Sequence, residues 1–595
     1  MRRSLSNDRS DSVQEKVRLL QDAYQKGRLD LASSLAESIR DTLRFDRQVT
    51  PDPEEPDLDA EQFVAVSELP KPWADWGNGW RFVQALSLFE TIGQARTNEP
   101  IEIRLRLRAD QVTDPDRELR VARFDAERST IHEVPSQVSG VTRTEKHWRC
   151  RLAFLADVPQ HDRAIVLVFT GNPNAERPDY ITDLKVKGEG YGLEISNHHY
   201  VAQLSSQVGQ LERLISRREH GLELYAGGKG HGEPPGIDWA HDYVDHGSFQ
   251  KLRVRNWAEC PDYEVERGPI FVRVRRWGFP HSPIHPLFTP SRMHIDQTYT
   301  FHSGLPYFFK EGTMEAIKDL RIEAMRDDEW VFSGYSYTNL IWFDASGKLH
   351  DGPVPPEAAN QLWGVGFYHN QSHDAFLAFW LDHRVEGHDR IDHSGSPTLD
   401  YAGHGQLWSR YPAQKTVLKA GTVFHQRNAY HLFPFSGEDD ARSLEAMRQR
   451  LLNPIACRAD ELPQSDRPQA MGSLARVGET EEFGDQKRSI WAALHRVKDE
   501  QLYTADASIV DLGYIYDVRV RAGVAHVIVT MPHRGRPVHE FLVSQGGGRV
   551  SEGIREHVRR VEGIQDVVVD LTWNPPWTVA RLSDQGRAAM GLNLS

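Results

Sequence analysis

Met293-His294-Ile295-Asp296-Gln297-Thr298-Tyr299-Thr300-Phe301-His302 is the stretch from which the rest of this chain can be read. Side chains alternate between the two faces of a strand, so Ile295, Tyr299 and Phe301 share one face with Gln297, and His294, Asp296, Thr298, Thr300 and His302 share the other. One face is core-like and the other is a polar row. Such a strand belongs to a sheet with one buried side and one side open to water or a ligand. A carboxylate beside an imidazole fixes its tautomer and raises its basicity, which suits a general base. His294 and His302 are therefore acid/base candidates, with Asp296 as their orienter; a plain solvated strand face is the competing reading.

The same period-two pattern recurs towards the N-terminus. Ile101-Glu102-Ile103-Arg104-Leu105-Arg106-Leu107-Arg108 alternates throughout, and the apolar run Ala164-Ile165-Val166-Leu167-Val168-Phe169 ends at Gly171-Asn172-Pro173-Asn174. Residues 73–187 therefore read as a β-sandwich. Before it, Val13, Val17, Leu20 and Tyr24, then Leu31, Leu35, Ile39 and Leu43 after Gly27, recur at helical spacing. This makes residues 1–50 a helical hairpin, a docking or dimerisation element compatible with a homo-oligomer, with 51–72 as a Pro- and acid-rich linker. Residues 188–437 are strand-rich with turns at Gly and Pro. Residues 438–487 read as a second linker holding one helix near Leu444–Leu451, and 488–595 as a small α/β domain.

Composition narrows the function. The chain has 595 residues, a formal net charge of −14, 39% hydrophobic and 26% charged residues, which argues against nucleic acid or an anionic membrane as main partner. Its first residues lack the apolar stretch of a secretory signal, and no window approaches the ~20 apolar residues of a membrane span, so a cytoplasmic protein is expected. Only three cysteines occur, Cys150, Cys260 and Cys457, none in a Cys-x-x-Cys pair, so no self-held iron–sulfur cluster is expected. The 27 histidines crowd between His198 and His431. Those in Phe279–Pro286 and Asp382–His393 fall in expected loops, where a divalent metal held by His and Asp is one reading, although no His-Glu-x-x-His motif supports it. The Gly-rich run from Ala226 to Gly236 lacks the Gly-Lys-Ser/Thr of a phosphate loop; the Trp239 and Tyr243 that follow it suit stacking on a ring.

Two resemblances add to this. Ser508-Ile509-Val510-Asp511-Leu512-Gly513-Tyr514, then Leu571-Thr572-Trp573-Asn574-Pro575-Pro576-Trp577 and Arg581-Leu582-Ser583, resemble the metal–sulfur (iron–sulfur) cluster assembly domain family. That family has a Gly-Cys-Pro turn; here it reads Gly535-Arg536-Pro537, and a guanidinium cannot bind a soft metal as a thiolate does. The resemblance thus implies a docking module, or a scaffold whose Arg534, Arg536, His533 and His539 meet an acidic ligand. Leu193–Val201 with Gly209–Leu214, and Leu418–Phe424 with Arg427–Tyr430, resemble the opening and closing strands of the supersandwich of galactose-mutarotase-like proteins and polysaccharide lyases. Tyr368, His369 and Asn370, where the strand from Gly364 meets a polar turn, are residue types that β-elimination lyases of that fold use. By that resemblance Tyr368 and His369 join the acid/base candidates, and Arg292, Trp239, Tyr243, Asn370 and His373 are substrate-binding candidates.

The expected fold is thus multidomain and mainly β: a β-sandwich and a large antiparallel supersandwich, with an N-terminal helical hairpin and a C-terminal small α/β domain. The expected function is an intracellular lyase, or related carbon–oxygen-bond enzyme, acting on a carbohydrate-like or small polyhydroxylated substrate. The alternative is a non-enzymatic accessory or assembly factor for a cytoplasmic metalloenzyme, with a protein partner docked on the C-terminal domain.

Overall fold

Alternation in the first β region builds the strand Arg96–Arg108, whose Ile101, Ile103, Leu105 and Leu107 are buried while Glu102 is exposed. The computed structural model describes residues 5–45, 56–125, 130–160, 163–206, 209–218, 243–245, 261–279, 293–332, 337–395, 397–399, 406–460, 462, 481–499, 507–521, 523–530, 553–571, 577 and 581–590. The chain divides into two units, one made of Met1–Pro53 and Ile181–Arg448, the other of Glu54–Tyr180 and Gln449–Ser595. The fold class is the expected one: mainly β and multidomain.

In the second unit, Arg96–Arg108, His147–Val158 and Ser136–Arg143 form a three-stranded antiparallel sheet. It faces a six-stranded sheet containing Phe82–Phe89, Arg163–Thr170 and Leu119–Asp125, and the two inner faces close on one apolar core. Both expected linkers need correction. Within 51–72, Leu58 is fully buried in the sandwich core and Val64–Ala65 pairs with Phe82–Phe89. Within 438–487, Glu438–Leu452 is a helix and Ala456–Asp460 is a strand that extends the sandwich, Ala456 opposite Phe89 and Asp460 opposite Ala85. Ile455 and Cys457 bury in its core. The strand is short and ends in a carboxylate, so its pattern resembles loop.

The C-terminal part of this unit is an α/β domain. Ile515–Arg521 pairs antiparallel with Val524–Val529, which pairs parallel with Asp566–Leu571. Helices Glu481–Leu494 and Ile554–Val558 cover one side through Ile490, Leu494, Ile554 and Val558. The first of them begins before the expected boundary at 488.

In the other unit, helices Leu5–Gln25 and Leu29–Phe45 form the expected hairpin, turned at Gly27 with φ +70°. Ala23, Ala32 and Leu35 are its buried centre, while Val17 and Tyr24 of the expected stripe stay exposed. The rest is built on a nine-stranded antiparallel sheet in the order Asp262–Arg267, Phe271–Gly278, Met293–His302, Tyr307–Ala316, Val423–Pro434, Asp374–Glu386, Gly364–Tyr368, Asn339–Phe343, Leu349–Asp351. Smaller sheets cover one face of it, which makes the supersandwich. Leu193, Ile195, Tyr200 and Leu214 of a four-stranded sheet, with Trp330 and Trp408 of a three-stranded one, meet Tyr299, Phe301, Phe308 and Tyr430. Leu320, Ile322 and Leu418 of another meet Met293, Ile295 and Phe424.

Asp460 ties the added strand to the rest of the sandwich. Its Oδ2 accepts from Arg163 Nη1 at 2.7 Å and from the Ser87 hydroxyl. Both charged side chains are nearly buried, and removing one member of such a pair leaves the other uncompensated. Asp460→Ala should lower unfolding stability by about 3 kcal/mol in chemical denaturation; Asp460→Asn, which keeps an acceptor, should cost clearly less.

Candidate functional site

The strand Met293–His302 has the faces expected of it. Met293, Ile295, Gln297, Tyr299 and Phe301 are buried inward, and His294, Asp296, Thr298, Thr300 and His302 lie on the opposite face. The chemistry on that face differs from the expectation. Asp296 is bound by Arg275, whose Nε donates to Oδ1 at 3.0 Å and to Oδ2 at 3.2 Å, so the carboxylate serves a guanidinium instead of orienting a histidine. His302 is buried between the rings of Phe271 and Phe309, with centroids at 6.2 and 5.8 Å. Burial, reinforced by Arg273 and Arg427, pushes its pKa down to about 3. His294 is buried and packs edge-on to Phe279 at 5.3 Å. The two histidines are eight residues apart on one extended strand, roughly 26 Å at about 3.3 Å per residue, so they cannot serve one bond.

Tyr368, His369, Asn370 and His373 do come together, in the turn between Gly364–Tyr368 and Asp374–Glu386. There they hold the turn. The Tyr368 hydroxyl donates to Asp351 at 2.7 Å, and burial with that bond pushes its pKa up to about 12, the wrong direction for a base. His369 Nδ1 accepts from Ser372 N at 3.1 Å. His373 adopts φ +59°, and its Nδ1 lies 3.1 Å from the Phe435 carbonyl. Asn370 N donates to Thr338 at 2.9 Å. The two strands this turn joins lie three and four strand steps from Met293–His302, roughly 14 and 19 Å at about 4.8 Å each. Arg292, Trp239 and the Tyr243 side chain lie outside the described residues, as does Arg536 with its turn. Among the described residues no group of three or more His, Cys, Asp or Glu is arranged to hold a metal ion.

The most concentrated polar chemistry in this unit lies inside the supersandwich. Arg276, Gln297, Gly312, Gln426 and His383 form one register row across five strands of the large sheet, and Lys310 and Asn428 pair in the next row. This belt separates the two apolar cores. A bulge between Trp380 and Asp382 turns His383 inward; the segment from Asp382, expected to be loop, continues the strand to Glu386. Against the belt lie Asp327, Asp328 and Arg410. Lys310 Nζ meets Asp328 Oδ1 at 3.2 Å with both side chains fully buried, and Arg410 pairs with Asp327. Tyr430 and Asn428 donate to Asp328 Oδ2 at 2.8 and 2.9 Å, and His383 Nε2 meets Asn428 Oδ1 at 2.8 Å. Burial pushes Asp328 up to about 6 despite Lys310. Burial would raise Asp327 too, but Arg410, His383 and Lys310 hold it below the usual carboxylate value. These groups scatter across the sequence and read as ordinary turns; the doublet Asp327-Asp328 ahead of the apolar Trp330 was the one available signal.

In the C-terminal domain the motif segments interlock. Asp511 accepts from Ser508 N at 3.2 Å and Ser508 Oγ at 2.5 Å, and from Ser583 Oγ at 2.8 Å. Burial opposes its ionisation, but those hydrogen bonds keep its pKa low. Trp577 Nε1 donates to the Leu512 carbonyl at 2.8 Å. Gly513 has φ +68° and its missing Cβ would strike the Arg581 carbonyl, so only glycine fits. The Val-Asp-Leu-Gly segment and the closing segment are therefore one clasp. Beyond it, the face of the sheet away from the helices meets the sandwich. Phe89, Ala456, Tyr516 and Ile528 form one buried cluster, the Arg519 guanidinium sits 3.7 Å from the Phe89 ring centroid, and Arg519 Nη1 lies 3.5 Å from Asp460 Oδ2. Of the cysteines, Cys150 and Cys457 are buried, and burial pushes the Cys150 thiol up to about 12, so neither offers a thiolate.

The clasp and the three-stranded sheet define a small α/β module of the metal–sulfur cluster assembly kind, carried on a larger β body. No protein-family model matches the chain. Over 107 residues, 18% of this chain and 94% of the other, it is 29% identical to the Fe-S protein maturation auxiliary factor YitW of Bacillus subtilis. Over 86 residues, 14% of this chain and 89% of the other, it is 30% identical to the Fe-S protein maturation auxiliary factor SufT of Staphylococcus aureus. Through its C-terminal domain the chain belongs to the family of Fe-S protein maturation auxiliary factors. Among solved structures, galactose 1-epimerase from Lactobacillus acidophilus is similar at 8% identity and TM-score 0.25, covering 43% of this chain and 99% of that one. A glycosyl hydrolase family 38 protein from Enterococcus faecalis is similar at 11% identity and TM-score 0.39, covering 73% of this chain, which spans 50% of that one. No helix among the described residues is long and apolar enough to cross a membrane.

The buried pair Lys310 and Asp328 makes a direct prediction. Lys310→Met should destabilise by about 3 kcal/mol at neutral pH, because it strands a carboxylate. In an Asp328→Asn background the same change should cost well under half of that. Lys310 lowers the Asp328 pKa, so its loss raises that pKa further, and at low pH the carboxyl is neutral and needs no cation. The cost of Lys310→Met should therefore be largest at alkaline pH, shrink as pH falls through the raised Asp328 pKa of the variant towards about 6, and stay level below it, measured by urea denaturation across pH.

Proposed function

We propose that this chain is a cytoplasmic accessory factor in the maturation of Fe–S proteins. It works as a docking module on a β scaffold and carries no cluster of its own. The observation that carries this reading is the intact Asp511 clasp in a domain whose reactive-cysteine position holds Arg536. The fold-forming residues are retained and bonded as a working domain requires, while the thiolate that a cluster or soft metal needs is replaced by a cation. A domain kept in this form is suited to recognise a client protein, and Arg536 suits an acidic group on it.

A lyase acting on a carbohydrate-like substrate through His294, His302, Tyr368 and His369 is less well supported. His294 and His302 are buried and far apart on one strand, and Tyr368 and His369 are engaged in the geometry of a turn several strands away. A divalent metal as cofactor has no support from the described residues.

The test is genetic and biochemical. In cells lacking the protein, enzymes that depend on Fe–S clusters should lose activity severalfold while iron-free enzymes keep theirs. The purified chain should hold iron far below stoichiometry after anaerobic reconstitution, and Arg536→Cys should raise bound iron. Unchanged Fe–S enzymes in the deletion strain, together with unsaturated product from a uronate oligosaccharide, would favour the lyase and end the maturation reading.

A further inference from the structure

A cleft of about 540 Å³ opens at the end of the supersandwich where Asn339–Phe343 and Leu349–Asp351 edge the large sheet. That volume lies within the roughly 300–1,000 Å³ of ordinary small-molecule sites. Its chemistry is unlike any other surface discussed above: among the described residues, no ionisable side chain lines it. Leu340, Val354, Ala359 and Leu399 supply apolar wall, with Pro353 and Pro397 beside them, and Thr338, Asn339 and Thr398 supply the polar side chains.

The walls are fixed. Val354 and Leu399 pack against the main core. At Gly395, which also lines the cleft, an added Cβ would come within 2.8 Å of Leu362 and 3.1 Å of Trp380, so the chain lies directly on the buried core there. The Ala359 carbonyl accepts from Gly395 N at 3.0 Å, joining two walls. Thr338 is engaged: its hydroxyl donates to Asn339 Oδ1 at 2.7 Å.

We propose that this cleft binds a small uncharged molecule with a mainly apolar body and one or two hydrogen-bonding groups. Two features select that class. A charged ligand would lose water without finding a counter-charge among the described lining residues, which costs several kcal/mol. A molecule hydroxylated all round would leave most of its hydroxyls against Leu, Val and Pro, whereas an alicyclic or aromatic ring bearing one hydroxyl or carbonyl satisfies both the apolar wall and Asn339 or Thr398. The site does not depend on the Fe–S reading and is formed by residues of the other unit, so either can fail alone.

An isosteric pair tests it on the full chain. Cyclohexylmethanol should show saturation transfer and titrate as a single site, with cyclohexanecarboxylate weaker by on the order of tenfold or more. Galactose should be weak too. Ala359→Phe fills the cleft from a half-exposed position and should abolish binding of the alcohol without moving the melting temperature; Asn339→Ala should weaken it severalfold. Equal or tighter binding of the carboxylate or the sugar overturns the proposal. So does binding that survives Ala359→Phe, or no binding of the alcohol at all.

Discussion

The strand Ala456–Asp460 ends on a carboxylate that two parts of one unit share. Asp460 accepts from Ser87 and Arg163 of the sandwich and faces Arg519 of the C-terminal domain. Arg519 in turn lies over Phe89, whose strand pairs with Ala456–Asp460. Burial pushes the Arg519 pKa down to about 10, a sign that this cation is held out of water and relies on its neighbours. A charge so placed is costly unless paired, so the arrangement favours one mutual position of domain and sandwich over others. A module that its small relatives carry almost alone, since the match spans 94% of the Bacillus subtilis protein, is here built into a larger body.

The other unit meets a similar constraint differently. Its large sheet has too wide an inner face for one apolar core, and the belt from Arg276 to His383 divides that face into two. Buried polar networks fix register, because a one-residue slip would send these polar groups to the wrong side. The perturbed groups Asp328, His383 and His393 belong to this interior, where burial shifts them. A shifted pKa here therefore reports burial among packed neighbours.

Period-two alternation made much of this legible in the sequence. It placed Ile101 to Leu107 and both faces of Met293–His302 correctly, because a half-buried strand must repeat every second residue. The C-terminal module was legible through its resemblance at Asp511, Gly513 and Trp577, residues that the structure binds into one clasp. Three things were not. Ala456–Asp460 is short and polar at its end, so it looked like linker. The bulge at Trp380 and Asp382 inverts the parity that places His383. Partners such as Lys310 and Asp328, or Asp327 and Arg410, meet only through strand order, which local pattern does not encode. The surroundings of the histidine candidates were not legible for the same reason: alternation assigns a face, and the neighbouring strands decide whether that face meets a ligand, an arginine or a phenylalanine ring.

Native-state amide hydrogen exchange under rising denaturant tests most directly whether the family module and the sandwich work as one body. Ile515–Arg521 and Ala456–Asp460 should lose protection together, and Phe89→Ala should lower both by the same factor. Independent exchange of the two strands, with Ile515–Arg521 indifferent to Phe89→Ala, would contradict it.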